Sequence, residues 1–204
     1  MYKKRMACLT AFENGREDTA LKIREFDKEG IDYIELMVPF SDPVAESPDI
    51  QKASKKALEN GCTVEKVFDL IEELKGEIES DIILSFYANT AFKYGYDRFS
   101  ERAAEAGISG FIVEDLPFEE REELKVYSDK EGIFLVTVLA RASDERIRTL
   151  AEAADGLICI SPSFRHAVDK DEFERVKGLV SEIARVPVLA DTDMVFNSRY
   201  LVEI

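Results

Sequence analysis

Glu35 stands inside an apolar run in which Ile34, Leu36 and Val38 alternate with Glu35 and Met37, the period-two pattern of a strand. A carboxylate placed there costs several kcal/mol unless it is partnered, so a functional reason is favoured over accident. Further along, Glu46 lies in a stretch punctuated by Pro39, Pro43 and Pro48. Proline ends a strand and keeps the following residues out of helix. One strand-held carboxylate and one loop-borne carboxylate make an acid/base pair for proton transfer. Glu46 has two open readings, the second member of that pair or a solvated loop acid. Ser41 and Asp42 read as loop-shaping residues that satisfy their own turns, and Asp49 as the cap of a helix opening at Ile50.

The elements that must position these groups repeat along the chain. Strands are expected at 6–12, 34–38, 82–87, 110–113, 133–139, 157–160 and 186–190. Helices are expected at 16–28, 50–60, 64–78, 96–106, 118–130, 144–154 and 171–184, with a last short helix from Asn197 or Ser198 to Ile204. Strands with little alternation, each followed by an amphipathic helix, give a parallel sheet with helices outside. Seven such units without a break in composition predict one (β/α) barrel domain over residues 1–204, although the pattern alone also permits a doubly wound sheet.

Reactive groups of such barrels sit at the C-terminal ends of strands and in the loops after them. Those positions supply Glu35, Glu46, Tyr87, Glu114, Asp115, Arg141, Arg165, His166 and Asp191. Tyr87 reads first as a barrel-lining ring. His166, the single histidine, reads either as a site group or as a solvent-exposed loop residue.

Composition narrows the function classes. The formal charge of −15 and pI near 4.6 argue against a nucleic-acid partner. No apolar run approaches the roughly 20 residues needed to span a bilayer. No leader segment is read at residues 1–13, so the expected location is the cytoplasm. Cys8, Cys62 and Cys159 lack metal-ligand spacing and read as small buried thiols.

Several motifs then carry a resemblance. PFSDP at 39–43, preceded by Glu35 on its strand, is followed by YAN at 87–89, by AFKYGYDRF, and by DLPFEE at 115–120. Over residues 5 to 160 this order and spacing resemble the tryptophan synthase alpha chain family. The resemblance implies a TIM-type barrel and a carbon–carbon lyase that cleaves indole-3-glycerol phosphate to indole and glyceraldehyde 3-phosphate without a cofactor or metal. It implies a proton-shuttle role for Glu35 and the indole N–H role for Glu46, where the family carries Asp. It places Tyr87 beside the substrate, and it puts the family's strand-six tyrosine near Ile158. Glu114 stands where the family has a small residue. The family cradles phosphate on glycine backbone after its late strands, whereas SPSFRHAVDKD has no glycine and ADTD puts Asp191 and Asp193 in that place. Weak phosphate binding is therefore expected, with Arg165 and His166 as substitute anchors. The family also implies a tryptophan synthase beta-like partner chain.

Against that family the barrel is expected to be truncated at both ends, with about seven β/α units and no eighth. Seven strands leave edges with unpaired N–H and C=O groups, covered by the C-terminal segment or by another chain. With the tail read as a helix on the sheet's outside, self-association is expected. Two alternatives stay open: a paralogue whose Glu35, Glu46, Glu114 and Asp191 hold Mg²⁺, and a non-catalytic partner subunit.

Overall fold

The computed structural model describes residues 3–44, 46–140, 142–160, 170–190 and 200–204. The first half of the chain runs β1 (Arg5–Thr10), α1 (Arg16–Lys28), β2 (Tyr33–Met37), α2 (Pro48–Glu59), α3 (Val64–Leu74), β3 (Asp81–Phe86), α4 (Ala88–Tyr94), α5 (Tyr96–Ala106) and β4 (Ile108–Val113). It continues through a 3₁₀ turn (Phe118–Glu120), α6 (Glu122–Lys130), β5 (Phe134–Leu135), β6 (Thr137–Leu139), α7 (Asp144–Glu152), β7 (Ile158–Ile160), α8 (Lys170–Ile183), β8 (Val188–Ala190) and β9 (Tyr200–Glu203).

One nine-stranded sheet has the order β5-β4-β3-β2-β1-β9-β8-β7-β6. Its two ends, β5 and β6, are consecutive in sequence with Val136 between them. The Val136 N–H donates to Phe111 O at 2.8 Å, and the Thr137 N–H donates to Leu157 O at 2.9 Å. The chain thus changes partner from β4 to β7 at Val136, and the sheet comes round into a nearly closed barrel. All pairings are parallel except those of β9, which runs antiparallel between β1 and β8.

β9 corrects three expectations. The tail is a strand over Tyr200–Glu203, not a helix; it occupies the place of the eighth strand; and β1 and β8 are paired on both sides. The open-edge argument for a second copy therefore falls. Leu201 and Ile204 share a helical spacing, but Tyr200, Leu201 and Val202 favour a pleated surface, and two bare strand edges offer them ladder bonds that a helix on the outside cannot satisfy. Met6 pairs with Leu201 and Leu189 with Glu203.

Alternation along the strands sorts side chains into two layers. Ile34, Leu36, Leu84, Phe86 and Phe111 face outward and pack with Phe68 of α3 and Phe99 of α5. Inside the barrel lie Met6, Tyr33, Ile83, Ile112, Val136, Leu157, Cys159, Leu189 and Leu201. The helices that cover the outer layer have local reasons to start where they do. Thr63 caps α3 by accepting from Lys66 N at 3.3 Å. Ser47, rather than Asp49, caps α2, with Pro48 at its first position, where a missing N–H costs nothing. The sequence reading gave no helix at 88–94; α4 is there, and Gly95 at φ 93° divides it from α5.

Phe134 packs where two glycines leave room. A Cβ on Gly110 would meet its ring at 2.6 Å, and one on Gly156 would clash with it as well. Gly156→Ala is expected to cost about 1–3 kcal/mol by overpacking. Urea unfolding checks this, and the cost should shrink in a Phe134→Leu background because the two sites share one space.

Candidate active site

Glu35 is the third residue of β2, in register with Cys8 of β1 and Ile83 of β3. Tyr33 and Ile83 belong to the interior cluster, with Cys8 packed against it, so strand parity turns Glu35 into the barrel. Val38 N–H donates to Ser85 O at 2.8 Å, extending the β2 ladder one residue before Pro39 ends it. The loop beyond is held by its own polar groups. Ser41 Oγ donates to Asp42 Oδ2 at 2.8 Å, the Glu46 N–H donates to Pro43 O at 3.0 Å, and Gln51 Nε2 donates to Glu46 O at 2.9 Å. These bonds bring half-buried Glu46 back over the barrel mouth.

Glu114 arrives from β4. Its N–H donates to Phe86 O at 3.0 Å, which carries the β3–β4 ladder past Val113. Fully buried Ser85 donates from Oγ to Glu114 Oε1 at 2.5 Å. Burial, then the negative charges of Glu35 and Glu46, push the Glu114 carboxyl up to about 8, and a side-chain hydrogen bond with Glu46 adds to the rise. Three carboxyls from β2, the loop after it and β4 therefore meet at one end of the barrel. Among the described residues, no group of three or more His, Cys, Asp or Glu is arranged to hold a metal ion, so the Mg²⁺ alternative gains no support there.

Glu114 makes stability depend on pH. Its folded value lies above the ordinary carboxylate value, so between about 4.5 and about 8 the folded chain holds this proton more tightly than the unfolded chain. Its contribution is complete below that window and is lost as pH rises through it. Glu114→Gln, which needs no proton, should gain in melting temperature on the wild type as pH rises from about 5 to about 8, and the gap should close again on acidification. Thermal melts across that range check it.

The aromatic wall beside the acids comes from the same end of β2 and β3. Tyr87 is buried and stacks on Phe40, with ring centroids 4.7 Å apart and planes within 7°. Tyr87 also precedes α4, whose first N–H, that of Ala88, donates to Asp115 Oδ1 at 2.6 Å. Asp115 thus serves as a helix cap reaching across from the end of β4, not as a free site acid. Across the barrel the register differs from the sequence reading. Ile158 lies in the outer cluster with Ile147, Val176 and Val180, and its neighbour Cys159 is the one that faces inward. Val138 pairs with Cys159 on the interior face yet is 41% exposed, so solvent reaches into the barrel at that level. Burial, with Glu35 and Glu114 nearby, raises the Cys159 thiol well above its usual range and leaves it inert.

Sequence reasoning missed Ser85, Phe40 and Cys159. Phe40 was in view as part of PFSDP, and the alternation Ile83, Ser85 marks Ser85 as an inward polar residue. Arg141, Arg165, His166, Asp191 and Asp193 lie outside the described residues, and with them the substitute phosphate anchors and the expectation of weak phosphate binding.

The fold and this mouth define a TIM-type barrel with a carboxylate-rich, aromatic-walled site at the C-terminal ends of its first strands. The family model described as tryptophan synthase alpha chain matches residues 4–188. Tryptophan synthase alpha chains from Petrotoga mobilis and Lacticaseibacillus casei are 41% and 37% identical over 75% and 82% of this chain. This chain covers 60% and 63% of their lengths. A solved chain from the Pyrococcus furiosus tryptophan synthase α2β2 complex superposes with a TM-score of 0.84 at 27% identity, over 94% of this chain and 79% of that one. The Legionella pneumophila alpha subunit gives a TM-score of 0.83 at 29% identity, over 93% and 72%. The chain belongs to the tryptophan synthase alpha chain family.

Proposed function

We propose that this protein cleaves indole-3-glycerol phosphate to indole and glyceraldehyde 3-phosphate, with Glu35 as the proton shuttle. The observation that carries this reading is the convergence of Glu35 inside the barrel with Glu46 above it. Glu35, as the carboxylate, takes the proton of the glyceryl hydroxyl next to the breaking bond and passes it to the indole C3. The carbon–carbon bond cleaves, the hydroxyl carbon becomes the aldehyde, and the proton count balances with no external oxidant. Glu46 accepts a hydrogen bond from the indole N–H as charge builds on the ring. The flat Phe40–Tyr87 stack offers an aromatic surface beside these acids. The substrate pocket includes Cys159 in place of Ile158. In the cell the chain works in the cytoplasm beside a tryptophan synthase beta-like partner, a reading supported by the α2β2 assembly named for the Pyrococcus relative. Among the described residues, no helix is long and apolar enough to cross a membrane. The test is indole release from indole-3-glycerol phosphate by the purified chain, with and without an added beta chain. No indole under either condition overturns the reading.

A further inference from the structure

We infer that Glu114 is a positioning residue that holds Glu46 over the barrel mouth through one shared proton, with Ser85 as its anchor. This rests on the proposed lyase reading only for its activity assay. The geometry comes first. The ladder bond to Phe86 fixes the Glu114 backbone, and strand parity directs its side chain inward beside Ile112. Ser85, packed at 0% exposure, occupies one carboxyl oxygen as a donor. The side chain is also hydrogen bonded to Glu46. Two carboxyls have no donor between them unless one is protonated, so this contact exists only while the pair keeps a proton. A loop carboxylate has many rotamers in water. The Ser85–Glu114 bond gives it one fixed partner that is itself held by a strand.

Among the described residues the ionisable groups facing Glu114 are Glu35 of β2, Glu46 of the β2–α2 loop and Cys159 of β7. The charges acting on it from Glu35 and Glu46 are both negative and, with burial, outweigh the Ser85 hydrogen bond, which by itself favours the charged form. On deprotonation Glu46 and Glu114 repel, and the loop acid leaves its place. Positioning is therefore lost on the alkaline side. A group of pKa about 8 keeps its proton in roughly one molecule in eleven at about pH 9.

The test uses the full chain in two arms. In the first, kcat/KM for indole release is measured between about pH 7 and about pH 9. Wild type should fall roughly tenfold on the alkaline side. Glu114→Gln, which donates without titrating, should stay flat over the same range. Glu114→Ala, which cannot donate, should lie tenfold or more below the Gln variant at neutral pH. A Gln variant that keeps the wild-type limb, or an Ala variant equal to it, overturns the inference. The second arm needs no activity: ¹³C-carboxylate NMR titration of glutamate side chains. One carboxyl should titrate near 8 in the wild type, vanish in Glu114→Gln and move down in Glu46→Gln. Those shifts without indole release would keep this inference and overturn the lyase reading. Indole release with every carboxyl titrating below about 6 would do the reverse.

Discussion

Glu35→Gln is expected to lower kcat for indole release by about 10²- to 10⁴-fold, the range lost when a positioned general acid/base is removed. KM should change little. Gln fills nearly the same volume between Cys8 and Ile83 and keeps hydrogen-bonding capacity, but it cannot give a proton to C3 or take one from the hydroxyl. Losing the negative charge of half-buried Glu35 beside Glu114 should leave the fold intact or firmer, so a thermal melt separates a chemical effect from an unfolded sample. A variant that keeps more than a tenth of wild-type kcat would move the proton shuttle to another residue. Steady-state kinetics on the purified pair decide it.

The second large effect concerns the strand that fills the eighth place. Leu201→Asp is expected to cost several kcal/mol, a large share of the 5–15 kcal/mol that holds a typical domain. Leu201 is 7% exposed and packs inside the barrel with Met6 and Leu189. An unpaired carboxylate there loses the burial of a leucine and adds a desolvation cost. If β9 detached to relieve it, β1 and β8 would each regain an edge of unpaired groups. Leu201→Met, which conserves volume, should cost less than about 1.5 kcal/mol. Urea unfolding of both variants measures the difference. Equal stability would show that β9 is not part of the cooperative unit.

The sequence made the barrel legible because its signals were local and repeated. Val67, Phe68, Ile71 and Leu74 write one face of α3, and Gly30, Gly61, Gly107 and Gly132 mark the stops of α1, α2, α5 and α6. What stayed illegible was pairing over long distances. The spacing of Leu201 and Ile204 says helix; only the two vacant edges, brought together from opposite ends of the chain, make it a strand. The Ile158 assignment failed by one residue, and in a strand one residue is the difference between the helices and the barrel interior. Glu35 was readable because a lone charge in an apolar strand is conspicuous. Glu114 was readable as an acid at a strand end, but its partners were not. Ser85 lies on another strand, Glu46 on a loop, and no local pattern ties them together.

The β1–β9 pairing also has a kinetic side. Lys4 N–H donates to Glu203 Oε2 across 199 residues, and Met6 pairs with Leu201. Closing a chain of that length costs roughly 5 kcal/mol in loop entropy by the logarithmic law. Contacts of such long range slow folding. β9 is also synthesised after every other described strand, so until it emerges the nascent chain carries its β1 and β8 edges unpaired. That interval, rather than the finished molecule, is when neighbouring nascent chains can pair through those edges, and a chaperone that binds extended strands would act then.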